Sequence, residues 1–288
     1  MKVFVTGATG FTGSRTVPLL LAQGFDVRCL YRADSDRSAL PQPEIEWVLG
    51  DVSNRPALGN SMKGAQALVN IASLGFGHAD SILGAAQDAG IHRAVFVSTT
   101  AIFTQLNARS KAVRLAAEES VQKSKLDFTI LRPTMIYGSK RDRNIFRLIR
   151  WLRTFPIFPI FGNGEYLQQP IFVDDVAQAI ARCLKNDSTI GKSYNIAGQS
   201  PLSYNQVIDT IAAQMNKRIW KIHVPSTPVV SLMKFFERIH IPLPIKSEQV
   251  LRLNENKNFD YAEAQKDFDF QPRSFAEGIQ LELKDGPR

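Results

Sequence analysis

The stretch that decides the fold is Met1-Lys-Val-Phe-Val-Thr-Gly-Ala-Thr-Gly-Phe-Thr-Gly13, where an apolar run leads directly into three glycines at every third position. The run at residues 3–5 is typical of a strand that is buried on both faces. Gly7 permits the sharp turn after it, Gly10 lets the backbone approach a pyrophosphate, and Gly13 lets the next helix pack closely on the strand. Amides at the start of that helix then face the anion. The pattern predicts a dinucleotide-binding turn.

The residues after the turn continue this pattern. Apolar side chains follow Gly13, Gly24 ends the predicted helix, and residues 25–31 form a second strand-like run. Strand, glycine turn, helix and strand fit one βαβ unit of about 30 residues. We expect the helix to start near Phe11 and to be kinked or loosened at Pro18, because an interior proline removes a backbone hydrogen bond.

Composition indicates an ordinary globular protein. The chain has 288 residues, of which 44% are hydrophobic and 22% charged, so one large α/β unit or two lobes can be built. Cys29 and Cys183 fall in a predicted strand and a predicted helix without a nearby metal-binding pattern, so we expect neither a disulfide nor a metal. The start resembles no secretory leader, and no apolar run reaches the ~18 residues of a membrane span. We expect a cytoplasmic protein.

The formal net charge is +8, and basic residues crowd residues 141–153, where they are interleaved with apolar residues as in a basic amphipathic helix. One interpretation is a solvated basic face above a stripe that faces the core. The alternatives are a phosphate-bearing substrate or peripheral contact with a membrane surface. Nucleic acid is not expected, since no recognised motif or series of stacking aromatic residues accompanies the charge.

Apolar strand-like runs alternate with helical patterns through the first half of the chain, which predicts an α/β fold with a doubly wound parallel Rossmann sheet. The expected strands lie at residues 45–49, 67–71, 94–97 and 128–131, with helices at 80–89 and 109–123.

From Pro133 the chain becomes richer in proline, glycine and aromatic residues, and then returns to the sheet pattern with a helix capped by Asp174 or Asp175. We therefore predict a dinucleotide-binding domain from residues 1–133 plus about 171–199. Residues 134–170 plus 200–288 are expected to form a smaller substrate lobe, made of inserts at the carboxyl ends of the strands.

The end of the second strand favours NADP. Arg32 and Arg37 are suited to the 2′-phosphate, whereas Asp34 and Asp36 keep NAD as the alternative. Asp51 follows the third strand and is placed to meet the adenine edge. The residues expected to contact the cofactor are Gly7, Thr9, Gly10, Phe11, Thr12, Gly13, Arg32, Arg37, Asp51, Val52, Ala72, Ser98, Lys111 and Pro133.

Several further motifs carry a family resemblance over about residues 1–200. They are Ser98-Thr-Thr, Ser110-Lys111, Leu131-Arg-Pro-Thr with Tyr137-Gly138, Gly162-Asn-Gly and Phe172-Val-Asp-Asp-Val-Ala. Together with the glycine turn they resemble the extended and atypical short-chain dehydrogenase/reductases of the NAD-dependent epimerase/dehydratase type. The resemblance implies a Rossmann fold and nucleotide-dependent redox chemistry, and members of this family often pair as homodimers.

The resemblance also implies a Ser or Thr after the fifth strand and a Tyr four residues before a Lys, on one helix face. Lys111 is present and is expected to hold the nicotinamide ribose, but Asn107 stands where the Tyr is expected. An amide is not a general acid or base near neutral pH. Thr99 or Thr100 is expected to supply the hydroxyl partner.

Two residues are candidates for a substitute acid. Tyr137, in the segment after the sixth strand, is the first choice, and His78, after the fourth strand, is the second.

The substrate region also departs from the family pattern. Where nucleotide-sugar enzymes of this type carry an arginine for the diphosphate, the chain has Gln168 and Gln169, while residues 155–161 and Trp151 suggest an apolar pocket. The favoured hypothesis is NADPH-dependent reduction of a small apolar carbonyl or quinone-like compound. The alternatives are a non-catalytic NADP-binding sensor or subunit, similar to the accessory subunit of respiratory complex I, and a nucleotide-sugar epimerase or dehydratase.

Overall fold

The computed structural model describes residues 1–41, 43–106, 109–142, 144–239 and 247–285, and these form two compact units. The first unit comprises Met1–Ile136, Ile171–Ile196 and Asp260–Pro272, and the second comprises Tyr137–Pro170, Ala197–Phe259 and Arg273–Arg288. Residues 260–272, which the sequence assigned to the substrate lobe, therefore belong to the first unit.

The chain forms thirteen strands in its described part, several of them only two residues long. They are β1 Lys2–Thr6, β2 Asp26–Tyr31, β3 Ile45–Leu49, β4 Ala67–Asn70, β5 Arg93–Val97, β6 Asp127–Pro133, β7 Ile136–Tyr137, β8 Ile157–Phe161, β9 Leu167–Gln168, β10 Ile171–Phe172, β11 Lys192–Ile196, β12 Leu202–Ser203 and β13 Trp220–Val224.

Eleven α-helices accompany these strands in the same described ranges. They are α1 Gly13–Ala22, α2 Arg55–Met62, α3 Ala79–Asp88, α4 Arg109–Lys123, α5 Ile145–Thr154, α6 Val173–Lys185, α7 Tyr204–Gln214, α8 Ser226–Arg238, α9 Ser247–Leu253, α10 Ala262–Phe268 and α11 Phe275–Asp285. None of the helices in these ranges is long and apolar enough to cross a membrane.

The first unit is built on a seven-stranded sheet in the order β11-β6-β5-β4-β1-β2-β3. Every neighbouring pair is parallel. The strand order reverses between β1 and β4, and such a switch point opens a crevice at the carboxyl ends of the strands. The predicted doubly wound α/β sheet is confirmed.

The central strand β1 is buried on both faces, as its unbroken apolar sequence predicts. Val3 and Val5 belong to the core on one side of the sheet, which also contains residues of α1, α6 and α10. Phe4 belongs to the core on the other side, with residues of α2, α3 and α4. The side chains of the strand therefore alternate between the two helical layers that cover the sheet.

Two local predictions about helices need correction. Helix α1 begins at Gly13, not near Phe11, and is continuous through Pro18. Helix α6 begins at Val173 with Phe172 at the cap position, so Asp174 and Asp175 lie inside its first turn and do not cap it. Carboxylates in a first turn are still favourable because they face the positive end of the helix dipole.

The second unit contains two small sheets. β8 and β13 pair in parallel, and β9 and β12 pair in antiparallel fashion. The proline-rich region at residues 155–161 contributes β8, in which Pro159 pairs with Ile222. Two-stranded sheets tolerate proline because each strand has a free edge.

The close packing of α1 against the turn before it can be tested at Gly13. A Cβ atom at Gly13 would lie 2.2 Å from the Gly7 carbonyl oxygen and 2.6 Å from that of Ala8. We expect Gly13→Ala to lower the free energy of unfolding by about 3 kcal/mol, because backbone atoms cannot move aside as a flexible side chain does. Gly59→Ala is the control, since its Cβ would meet nothing closer than 3.5 Å and alanine favours a helix by up to about 1 kcal/mol. Equal urea midpoints for the two variants would contradict this account.

Candidate dinucleotide site and reaction cleft

The glycine turn stands at the switch point, directly against the loop that follows β4. Gly7 has φ +71°, and a Cβ there would lie 2.7 Å from the Ala72 backbone nitrogen. Thr6 Oγ1 donates to Asn70 Oδ1 at 2.6 Å, and the Asn70 amide donates to the Ala72 carbonyl at 3.0 Å. The first bond joins two side chains with no exposed surface and holds the ends of β1 and β4 together, and the second fixes the loop after β4.

The start of α1 fits a phosphate group. Its first turn contains no acidic residue, and the Thr12 side chain makes no capping hydrogen bond to it. The start of a helix attracts an anion through its backbone amides and the positive end of the helix dipole. Gly10 is exposed beside them. The glycine turn and helix start therefore have the form that a dinucleotide pyrophosphate requires.

The loop after β2 exposes a positive charge. Arg32 is largely exposed, and its Nε lies 3.4 Å from Asp34 Oδ1. Such an exposed ion pair is weak, so a phosphate can compete for the guanidinium. Arg37, in contrast, stacks on the Tyr31 ring at 4.4 Å and on the Trp47 ring at 5.2 Å.

Asp51 lies after β3, where the sequence predicted it. Hydrogen bonds from the Ser53 hydroxyl and amide lower the pKa of its carboxyl, with smaller contributions from the charges of His78 and Arg32. His78 occupies the N-cap position of α3, where its side chain makes no capping hydrogen bond. Its charge acts on Asp51. Next to Asp51, the Val52 carbonyl accepts a hydrogen bond from Ser81.

A cleft of about 170 Å³ opens in the first unit beside the glycine turn. It lies at the carboxyl ends of β4 and β5, where ligands of such sheets bind. Its lining consists of Thr12, Ile71, Ser73, Leu74, Val97, Ser98, Thr99, Arg114 and Ile136.

The three hydroxyls after β5 have different roles. The Ser98 hydroxyl donates to a Glu118 carboxylate oxygen, and the buried Thr100 hydroxyl donates to the Pro133 carbonyl at 3.3 Å. Thr99 Oγ1 instead accepts from the Ala101 amide at 3.2 Å. Because a hydroxyl has one proton to give, Thr99 is the member of the group whose proton is available to a molecule in the cleft.

Glu118 fixes the orientation of Ser98 from the buried side of α4. One of its carboxylate oxygens receives Arg132 Nε at 2.9 Å and Nη2 at 2.6 Å. The Arg132 guanidinium also lies 5.6 Å from the centre of the Phe103 ring. A buried carboxylate is stable only when it is paired and hydrogen-bonded, and here one arginine and one serine satisfy it.

Arg114 brings a positive charge to the cleft that the sequence analysis missed. Its Nη1 donates to Ser110 Oγ at 3.0 Å, and the guanidinium lies against the backbone of Gly75, where a Cβ would come within 3.1 Å of Nε. The spacing from Lys111 was visible, since residues three apart share a helix face. Nothing in the sequence, however, showed that the Gly75 loop would leave room for this guanidinium.

Lys111 lies in the first turn of α4, where its ammonium donates to the Thr104 carbonyl at 2.6 Å. An ammonium group has three protons, so a role in holding a ribose stays a prediction. Asn107 lies outside the described residues.

The proposed catalytic role of Tyr137 is wrong on structural grounds. Its side chain is 1% exposed, and its hydroxyl donates to the Phe275 carbonyl at 3.3 Å inside the second unit. Its ring also packs on the Phe275 ring. A group enclosed and bonded in this way serves packing, because a proton donor must reach its acceptor directly or through a water.

Gln168 and Gln169 are also used inside the second unit. Gln168 donates to the Glu255 carbonyl at 3.4 Å, and Gln169 donates to the Gly198 carbonyl and accepts from the Phe259 amide, each at 2.8 Å. Both side chains are buried. They connect loops of the unit and carry no charge for a diphosphate.

Glycine turn, arginine-bearing loop and cleft together define a nucleotide-binding Rossmann protein. A family model described as NAD(P)H-binding matches residues 7–187, which is more than half of the chain. The chain therefore belongs to this NAD(P)H-binding family.

Known relatives differ in their activities. The chain is 26% identical to the mitochondrial NADH dehydrogenase [ubiquinone] 1 alpha subcomplex subunit 9 of Arabidopsis thaliana, covering 87% of this chain and 67% of that protein. It is 24% identical to the N-acetyl-alpha-D-glucosaminyl-diphospho-ditrans,octacis-undecaprenol 4-epimerase of Escherichia coli O157:H7, covering 78% and 75%. The UDP-glucose 4-epimerase of Thermotoga maritima, at 17% identity, shares the fold with a TM-score of 0.78 over 99% and 98% of the chains.

The buried pairing of Glu118 with Arg132 can be measured by mutation. We expect Arg132→Met to lower the free energy of unfolding by about 3–5 kcal/mol, because it leaves a buried carboxylate without its cation. The double variant with Glu118→Met should lose less, since no charge is left behind. Urea unfolding provides the measurement.

The matched control is Arg55→Met, which breaks an exposed, solvent-screened pair with Asp88 and should change the free energy of unfolding far less. A cost for Arg132→Met no larger than that of the control would show that the Glu118 carboxylate is not buried as described.

Proposed function

We propose that the protein is an NADPH-dependent reductase of a small apolar carbonyl or quinone-like compound. The observation that carries this proposal is the cleft beside the glycine turn, where the Thr99 hydroxyl and the Arg114 guanidinium line one space. The two groups provide a hydrogen-bond donor and a positive charge, which are what an oxygen needs as it gains negative charge.

The preference for NADPH rests on Arg32. Its guanidinium is exposed beside the loop after β2, where the 2′-phosphate of NADP is recognised in Rossmann folds. A guanidinium gains a charge-assisted hydrogen bond from a phosphate that it cannot gain from a ribose hydroxyl of NAD. Bound NADPH would supply the hydride, and the residues of the chain then act on the acceptor.

Thr99 is the residue we assign to the acceptor oxygen. Its Oγ1 is fixed by the Ala101 amide, so its proton can point away from that amide and into the cleft. Ser98 cannot give this bond while its own proton is held by Glu118. Ser98 therefore acts as a positioning residue, with an oxygen that can accept from a ligand.

Arg114 supports the choice of a delocalised acceptor. Without a tyrosine in the family position, the chain needs to stabilise an anion more than to deliver a proton, and a fixed guanidinium does this. A quinone spreads the charge of the reduced form over its ring and can take its proton from water. One relative is named for ubiquinone and another for an undecaprenol-linked substrate. Both names are consistent with an apolar acceptor for this chain.

A second candidate function is a nucleotide-binding subunit without turnover. The relative from Arabidopsis thaliana is a subunit of an NADH dehydrogenase and covers most of this chain, and Asn107 replaces the residue that usually exchanges a proton. Tight NADPH binding with a raised melting temperature, but without oxidation by any quinone or carbonyl, would favour this function over the reductase. Stabilisation by UDP-sugars would favour an epimerase instead.

The cofactor preference is tested at Arg32. We expect Arg32→Ala to weaken NADPH binding by about 10- to 100-fold, because a charge-assisted bond to the 2′-phosphate is lost. NADH binding should change by less than about twofold, since NADH has no such phosphate. Isothermal titration with both nucleotides gives the ratio, and Arg55→Ala is the control for loss of an exposed arginine. A parallel loss of affinity for both nucleotides would refute the assignment.

The role of Thr99 is tested by removing its hydroxyl without changing its shape. We expect Thr99→Val to lower kcat for quinone reduction by about 100-fold, because a donor to the developing oxyanion is lost. Thr99→Ser should restore most of the rate, and the NADPH affinity should be unaffected in both variants.

Thr154→Val, in the exposed last turn of α5, is the matched control and should keep the native rate. If Thr99→Val also keeps the native rate, the hydroxyl does not contact the reacting oxygen.

A further inference from the structure

The second unit has a group of large apolar side chains that are exposed and do not belong to its core. Trp220 is 74% exposed and Trp151 is 44% exposed. With them are Phe155, Ile157 and Ile222, each about half exposed. We refer to these five residues as the aromatic patch.

Pairwise contacts connect members of the aromatic patch along α5, β8 and β13. The Trp151 ring lies 4.9 Å from the Phe155 ring, and its indole nitrogen donates to the Ile157 carbonyl at 3.0 Å. Ile157 and Trp220 are direct partners in the β8–β13 pairing. Ile222 follows two residues after Trp220 and so faces the same side of the sheet.

Positive charges surround the aromatic patch. Arg147, Arg150 and Trp151 lie on one exposed stripe of α5, as expected for residues three and four apart. Among the residues that the structure describes, neither arginine has a carboxylate within 4.0 Å. Lys217 and Arg218 are exposed just before Trp220, and the Lys217 ammonium donates one of its protons to the Arg153 carbonyl near the end of α5.

We propose that the aromatic patch and these four cations dock the protein on the surface of an anionic lipid bilayer. Indole rings favour the interface between headgroups and acyl chains, where one end is apolar and the other is wet. Arginine and lysine beside them gain from the negative surface potential of anionic lipid. The site is in the second unit and does not depend on the reaction proposed for the first.

This surface differs from a simple amphipathic helix. The apolar stripe of α5, formed by Ile145, Leu148, Ile149 and Leu152, is buried in the protein, so it is not free to enter lipid. The membrane contact suggested for residues 141–153 is therefore carried by the polar side of α5 together with Trp151, and by the sheet residues beside it.

A shallow cavity next to Trp220 offers a place for a lipid headgroup. It measures about 400 Å³, and Lys217 and Arg218 line it. The acidic residue in its lining, Asp209, is paired with Lys221 Nζ at 2.6 Å. Two cations next to an exposed indole match a phosphate at the depth of the interface, whereas an interface with a second copy would place like charges against each other.

The proposal is tested by co-sedimentation of the full-length protein with vesicles. We expect binding to phosphatidylcholine vesicles that contain about 30% phosphatidylserine, and at least about tenfold weaker binding to pure phosphatidylcholine or in about 0.5 M NaCl. Arg147→Glu with Arg150→Glu should weaken binding to the anionic vesicles by at least about tenfold. Trp220→Ala should do so by a similar factor, since its apolar contact with lipid is lost.

The matched charge control is Lys63→Glu with Lys125→Glu in the first unit, which changes the net charge equally and should leave vesicle binding near the native value. The matched apolar control is Leu115→Ala, at an exposed position on α4. Melting temperatures confirm that each variant is folded. The proposal is overturned if the native protein ignores anionic vesicles, if the patch variants bind as the controls do, or if the protein is a dimer that Trp220→Ala dissociates.

Discussion

The structure depends most on how closely the first helix approaches the turn that precedes it. At Gly13 there is no room for a side chain between α1 and the carbonyls of Gly7 and Ala8. This contact brings the start of α1 to the edge of the sheet where the strand order reverses. The same backbone arrangement that packs the helix therefore also presents its amides to an anion, so that stability and cofactor binding are set by one short segment.

The cleft also depends on which of its hydroxyl groups already donate a hydrogen bond within the protein. Three consecutive residues, Ser98, Thr99 and Thr100, look equivalent in the sequence, yet Glu118 and the Pro133 carbonyl take the protons of the first and third. The buried ion pair with Arg132 holds the Glu118 carboxylate in place, so the hydrogen bond from Ser98 is kept. A hydroxyl that already donates its proton within the protein cannot donate it to a ligand. Of these three residues, Thr99 is the one whose proton can still be donated to a ligand.

The sequence predicts the sheet well because its signals are local. The apolar runs of β1, β4, β5 and β6 are short and unbroken, and glycine marks the turns. The cleft was predicted less completely because it depends on residues far apart in the chain. Thr6 and Asn70, or Gly75 and Arg114, meet only after the strands have been ordered. Tyr137 shows the opposite error, since a suitable side chain near a motif proved to be packed against Phe275.

The separation of the two proposed sites between the two units has a consequence for an apolar acceptor. A quinone or other lipophilic compound has a low concentration in water and a high one in lipid, so an enzyme that acts on it gains from staying at a bilayer surface. A surface dock that depends on charge and two indoles is reversible, because each contact is weak and screened by salt. Such a dock raises the encounter rate with the acceptor without changing the chemistry at Thr99. If both proposals hold, mutations in the aromatic patch will raise KM for acceptors dissolved in vesicles and leave kcat, and the rate with water-soluble quinones, unchanged.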